Sequence, residues 1–207
     1  MKIDCQRYIA IEGCVGVGKT TLAERLSEFR QANLVLEEFG KNPFLEDFYA
    51  DPQNNVLENS LQFLLLHCHQ IKKMIGLDHS ETITDFSIFK DEIFAEINMI
   101  NPVERMAFDE MCHLLHTKLP VPDLVIYIRG SNALITERIR QRNRLMESRT
   151  ADSYFLSINR AYEKFFSDFA GSLHIIEADL YDCIKDPEFL AGLSKAIDTI
   201  LADRTID

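Results

Sequence analysis

Two kinds of apolar repeat alternate along this chain. Short branched or aromatic runs read as buried strands: Tyr8-Ile9-Ala10-Ile11, Leu34-Val35-Leu36, Leu124 to Ile128 and Leu173-His174-Ile175-Ile176, with Thr82-Ile83-Thr84 a weaker member. Between them apolar residues recur three and four apart, which predicts amphipathic helices. Leu22, Leu26 and Phe29 mark the first, and Leu57, Leu61, Leu64, Leu65 and Ile71 point inward on a long one ending near Ile75. Ile88, Ile93, Phe94, Ile97 and Ile100 mark another, closed by Asn101-Pro102. Further helices are expected over 104–118, 132–144, 153–169 and 187–201, and a short one over 44–49 after the break at Asn42-Pro43. Strands that alternate with helices build a parallel sheet covered on both faces. The expected fold class is therefore α/β, a five-stranded parallel sheet flanked by helices. No repeat, low-complexity tract or linker divides it, so residues 1–207 are read as one domain.

Between the first strand and the first helix lies Gly13-Cys14-Val15-Gly16-Val17-Gly18-Lys19-Thr20-Thr21. It fits G-x-x-x-x-G-K-[ST], the phosphate-binding loop, in the strand–loop–helix setting that motif requires. Gly13, Gly16 and Gly18 allow backbone turns closed to other residues. Successive N–H groups can then converge on an anion at the positive end of the following helix. Lys19 supplies an ammonium for β- and γ-phosphates, and Thr20 a hydroxyl for Mg²⁺. The loop implies a bound nucleoside triphosphate.

Composition narrows the setting. The chain has 207 residues, is 46% hydrophobic and carries a net charge of −11. That charge argues against a nucleic-acid partner, whose phosphates demand Lys and Arg. No run reaches the length of a membrane span, and the five scattered cysteines suit a reducing compartment, so a cytoplasmic protein is expected. Arginine is nonetheless concentrated locally, five of the chain's twelve falling between Arg138 and Arg149. Arg138 and Arg142 would share a helix face, as would Arg140 and Arg144, giving an arginine-rich lid over a triphosphate. The histidines and cysteines His67, Cys68, His69, Cys112, His113 and His116 have the wrong spacing within each helix for a metal site.

In open parallel sheets ligands gather at the carboxyl ends of strands, where Glu37 and Asp85 are expected. Asp85 can join Thr20 at Mg²⁺, and Glu37 can meet an acceptor hydroxyl near the γ-phosphate. The guanine-reading N-K-x-D of common GTPases is not found. A phosphoryl-transfer enzyme fits these residues; a nucleoside monophosphate kinase and a nucleotide-binding module without transfer activity stand as alternatives.

The segment Glu37-Glu38-Phe39-Gly40-Lys41-Asn42-Pro43-Phe44-Leu45-Glu46-Asp47-Phe48-Tyr49-Ala50-Asp51-Pro52 resembles E-P-V-x-x-N-P-F-L-x-x-F-Y-x-D-P of bacterial deoxynucleoside kinases. The likeness continues through Thr84-Asp85-Phe86-Ser87-Ile88-Phe89-Lys90-Asp91 to Arg138–Glu147, in family order. It implies a P-loop kinase fold, ATP and Mg²⁺, a deoxynucleoside acceptor phosphorylated at its 5′-hydroxyl, and a homodimer. By residue, it implies Glu37 as general base, Tyr49 and Glu147 at the sugar 3′-hydroxyl, and Asp85 at the Mg²⁺ and acceptor site. It places Asp91 at the base and Arg142 and Arg144 in the lid. The chain departs from the family's D-R-S by carrying Phe86 where the arginine would stand. Counted without gaps, Ser60 falls on the family's base-reading glutamine and His67 on a following arginine. Serine cannot donate and accept in one plane as an amide does, so the preferred base is not legible; Ser60, His67 and Phe86 are expected around the acceptor.

Overall fold

The structure, a computed structural model, describes residues 7–51, 55–74, 80–142, 144, 150–180 and 186–203. Five parallel strands form one sheet: β1 (Arg7–Gly13), β2 (Asn33–Val35), β3 (Glu81–Thr84), β4 (Leu124–Arg129) and β5 (Leu173–Glu177), in the order β2-β3-β1-β4-β5. β1 lies at the centre, with Ala10 opposite both Thr84 and Val125. The helices are α1 (Lys19–Arg30), α2 (Leu45–Ala50), α3 (Val56–Met74), α4 (Phe89–Asn98), α5 (Pro102–His116), α6 (Asn132–Arg142), α7 (Asp152–Ser167) and α8 (Pro187–Asp203). The expected parallel α/β architecture is present.

Strand periodicity divides the core. Ile9 and Ile11 turn to one face of the sheet, where they meet Leu22 and Leu26 of α1 and Leu193 and Ile197 of α8. Tyr8 and Ala10 turn to the other, against Leu64 and Ile71 of α3 and Phe108 of α5. On that same face Val125 and Tyr127 of β4 meet Phe155, Ile158, Tyr162 and Phe166 of α7. Each fully buried Leu, Ile, Val or Phe side chain among these contributes about 1.5–3 kcal/mol. Arg30 ties α1 to the sheet and α8: its guanidinium donates to both carboxylate oxygens of Glu81, at 2.6 and 2.8 Å, and to Asp198 at 2.9 Å.

Three apolar positions expected inside are exposed: Phe29, Leu65 and Ile100 are 49, 53 and 76% accessible. On α1 and α3 the buried stripe is narrower than the apolar pattern suggested, and Ile100 lies past the end of α4. α5 starts at Pro102, two residues earlier than expected. Proline's fixed φ suits a first helical turn, and the Asn101 side chain caps it by accepting from the Val103 and Glu104 N–H groups. α6 ends at Arg142, so Arg140 and Arg144 do not form the expected helical pair. Among the described residues no helix is long and apolar enough to cross a membrane.

Candidate active site

At the carboxyl end of β1 the chain turns through three residues of positive φ: Gly13 (148°), Gly16 (83°) and Gly18 (111°). A Cβ on Gly13 would stand 2.6 Å from the Ile128 carbonyl oxygen, and one on Gly16 2.7 Å from Ile139. Cys14 and Val17 bury their side chains and so anchor the loop. The Val17 N–H closes a turn on the Cys14 carbonyl at 3.3 Å. Lys19 Nζ donates to the Gly13 and Cys14 carbonyls at 2.7 and 3.0 Å, which folds the ammonium over the loop. Burial, with Lys90 nearby, draws the Lys19 pKa down. Arg138 of α6 donates to the Val17 carbonyl, so the helix expected to hold the lid is tied to the loop.

Asp85, one residue past β3, joins the loop to the next strand. Its Oδ2 accepts from the Thr20 hydroxyl at 2.5 Å and its Oδ1 from the Glu37 N–H at 2.7 Å. The Glu37 side chain then enters a cavity of about 230 Å³ lined also by Lys19, Thr20, Tyr49, Ser60, His67, Asp85, Asp91, Arg142 and Arg144. Residues expected at the donor, base, sugar and lid positions thus share one chamber. The Arg144 guanidinium lies 4.6 Å from the centre of the Phe39 ring, stacked over it. Arg140 instead pairs with Asp152 at the surface. Glu147 lies outside the described residues.

An ionic chain crosses the chamber. His67, buried on α3, donates from Nε2 to Glu37 Oε1 at 3.0 Å and from Nδ1 to Asp91 Oδ1 at 2.8 Å. Burial opposes its charge, but Asp91 and Glu37 outweigh it and push the pKa up to about 9, so the ring is an imidazolium at neutral pH. Lys90, in the first turn of α4, donates to both Glu37 oxygens at 2.6 and 2.5 Å. Burial works against the Glu37 carboxylate, yet Lys90 and His67 hold it well below the usual range. Burial likewise opposes the Lys90 charge, and Glu37 overrides it. Behind them Glu12 of β1 is wholly buried and accepts from Ser87 Oγ at 2.6 Å and Tyr162 OH at 3.2 Å. Burial raises its pKa.

One expected residue is displaced. Phe86 is fully buried and lines no part of the chamber; its ring stacks on His67, centroids 4.9 Å apart at 24°. The turn after β3, held by the Thr84 hydroxyl on the Phe86 carbonyl, sends the ring beneath α3. Lys90, Asn59, Asn98 and Phe39 also line the chamber, although no motif assigned them a role. For Lys90 the signal was available: it stands four residues after Phe86, close in sequence to the place where the family's arginine is missing.

The deoxynucleoside kinase family model matches residues 9–201, nearly the whole chain. A deoxyguanosine kinase of Bacillus subtilis is 36% identical over 166 residues, covering 75% of this chain and 76% of the relative. A deoxyadenosine kinase of Dictyostelium discoideum is 31% identical over 194 residues, covering 91% and 78%. The chain belongs to the deoxynucleoside kinase family. Its fold agrees: a solved deoxyadenosine kinase from M. mycoides, with dCMP and dCDP bound as products, superposes with a TM-score of 0.82 at 23% identity, covering 93% of this chain and 99% of that one.

Within that family frame, Thr20 and Asp85 fit a divalent cation. They bring a hydroxyl and a carboxylate together at the mouth of the phosphate loop. Among the described residues no three His, Cys, Asp or Glu groups are arranged to hold a metal alone. Such a site suits Mg²⁺, which keeps water and takes phosphate oxygens alongside one or two protein ligands.

Proposed function

We propose that this kinase transfers the γ-phosphoryl group of ATP to the 5′-hydroxyl of a deoxynucleoside. The observation that carries the reading is the double contact of Asp85. One carboxylate grips the hydroxyl of the phosphate-binding loop and the backbone of Glu37, which fixes the donor and the base relative to each other. Phosphoryl transfer passes through a loose transition state, so catalysis rests on positioning and charge rather than on covalent chemistry. Gly13, Cys14, Val15, Gly16, Gly18 and Thr21 shape the loop around the triphosphate, and Lys19 meets its outer phosphates. Mg²⁺, when bound at Thr20 and Asp85, neutralises the charge of the β- and γ-phosphates. Glu37 receives the hydroxyl proton, and Arg138, Arg142 and Arg144 cover the phosphates from the α6 side as a lid.

On the acceptor side, Tyr49 and Glu147 hold the sugar 3′-hydroxyl and Asp91 faces the base. Asp91 Oδ2 is buried and has no hydrogen-bond partner among the described residues, with His116 Nε2 standing 4.0 Å away, which leaves an acceptor for a base N–H. Ser60 and His67 border the same space. Incubating the protein with ATP, Mg²⁺ and each deoxynucleoside and deoxynucleoside monophosphate tests the reading. A 5′-monophosphate product is expected; phosphorylation of monophosphates alone, or of nothing, overturns it.

The enzyme works as a homodimer in the cytoplasm. Val103, Met106 and Leu114 form an exposed apolar stripe on α5, at 68, 63 and 51% accessibility, and α5 packs beside α3. Such a stripe suits a second copy, and Met106→Glu should shift sedimentation to the monomer. Cys14, Cys68 and Cys112 are free thiols, as suits a reducing compartment.

A further inference from the structure

The chamber wall carries a largely enclosed cation to which the family resemblance assigns no role. Lys90 projects from the first turn of α4, 14% accessible, with its ammonium on both oxygens of the Glu37 carboxylate. It shares the chamber with Lys19, Thr20 and Asp85. Phe86 cannot serve there, because its ring is buried under His67.

We propose that Lys90 is a catalytic residue: its ammonium sits between the Glu37 carboxylate and the transferring phosphoryl group, supplying the charge that the segment Asp85-Phe86-Ser87 lacks. The proposal rests on the kinase reading above. In the step, the acceptor oxygen forms its bond to the γ-phosphorus as the bond from phosphorus to the bridging oxygen breaks. That electron pair leaves with ADP, and the hydroxyl proton passes to Glu37. Before transfer Lys90 keeps Glu37 ionised and directed into the chamber. During transfer one carboxylate oxygen turns to the hydroxyl, and the ammonium holds the other while facing the phosphoryl oxygens. As Glu37 takes the proton its claim on Lys90 weakens, so positive charge is released toward phosphate as negative charge moves there. Preorganised charge of this kind typically accounts for roughly 10²–10³-fold in rate.

The geometry also separates this role from that of Lys19. Lys19 is held by two loop carbonyls and belongs to the donor. Lys90 is held by both oxygens of the base itself and so belongs to the acceptor side, where its charge rather than its bulk would serve the transfer.

The test measures wild-type protein, Lys90→Met, Lys90→Gln and Lys90→Arg with ATP and the best deoxynucleoside. An ATP-induced rise in Tm serves as the check that each variant folds. Lys90→Met and Lys90→Gln should each lose about a hundredfold in kcat, with the KM for ATP within threefold. Lys90→Arg, which keeps the charge, should recover at least a tenth of wild-type kcat. Wild-type turnover in Lys90→Gln would reduce Lys90 to a hydrogen-bond donor and overturn the proposal, as would a Lys90→Arg variant no more active than Lys90→Met and Lys90→Gln. Should one neutral variant fail to fold, the other decides the matter on kcat and the KM for ATP, compared with Lys90→Arg. A wild-type protein inactive on every deoxynucleoside would sink the kinase reading first, and this proposal with it.

Discussion

The phosphate-binding loop keeps its shape through backbone conformation, whereas the acceptor wall facing it is held by ionised side chains from separate elements. On the loop, three glycines at positive φ and two buried side chains do the shaping, all within residues 13–18. Across the chamber, Glu37 follows β2, His67 comes from α3, and Lys90 and Asp91 come from α4. The loop is therefore local and rigid by sterics, and the wall is non-local and rigid by charge. A phosphate site, which needs only converging backbone N–H groups, can be built in the first way. An acceptor that varies from member to member is more easily retuned when single side chains decide its chemistry.

The sharpest separation comes from Glu37→Gln. The amide is nearly isosteric but cannot take the hydroxyl proton, so kcat should fall by about 10²-fold or more. ATP affinity, measured by titration calorimetry, should stay within a few-fold, because the loop does not depend on the Glu37 charge. Wild-type turnover would remove Glu37 from the mechanism.

Gly13→Ala probes the opposite side. Its Cβ would meet the Ile128 carbonyl at 2.6 Å and Val17 at 2.9 Å, at a φ of 148°. Strain of about 1–3 kcal/mol should weaken ATP binding by roughly ten- to a hundredfold. Binding of a deoxynucleoside alone should change little, because the wall stands without the loop. Equal losses for both ligands would mean that the two regions are one mechanical unit.

The same contrast explains what the sequence disclosed. The loop was legible because the motif and its physical cause occupy one stretch, and the strand and helix periods placed Glu37 and Asp85 at neighbouring strand ends. Ser60, His67 and Asp91 were located at the chamber through the family resemblance. Their partners were not, since nothing in the spacing of His67 and Lys90 says that both converge on Glu37. Phe86 was misplaced for a related reason: its position in the segment suggested the chamber, but the turn after β3 directs its ring into the core. Arg144 was expected on a helix that ends at Arg142.

Titration should show the wall's charge directly. His67 is raised to about 9 from its ordinary 6.5, so its contribution to stability is complete below the unfolded value and is lost as pH rises through about 9. Glu37 is shifted down, so its contribution is present above the ordinary carboxylate range and is lost as pH falls towards its folded value. Tm should thus fall between about pH 7 and 9.5 in the wild type, by roughly 2–4 °C for each kcal/mol. In His67→Phe, which keeps the ring packed against Phe86, the alkaline fall should flatten. An unchanged slope would place the titrating charge elsewhere.

The smallest effect concerns the base. Ser60, on the chamber wall, is 8% accessible, and Gln62 does not line the chamber. A glutamine at position 60 would present a donor and an acceptor in one plane, where serine offers a single hydroxyl. Ser60→Gln should therefore leave kcat for the best substrate within about tenfold and reorder the kcat/KM values across deoxynucleosides by about 1–3 kcal/mol, roughly 10–200-fold. The neighbouring charges make the direction of failure informative. If the ranking stays fixed, the base is read by Asp91, whose second oxygen has no hydrogen-bond partner among the described residues, and Ser60 only sets the room available. In that case Asp91→Asn should reorder the substrates instead, since it turns an acceptor into a donor while leaving the loop, Lys90 and the Asp85 contacts in place.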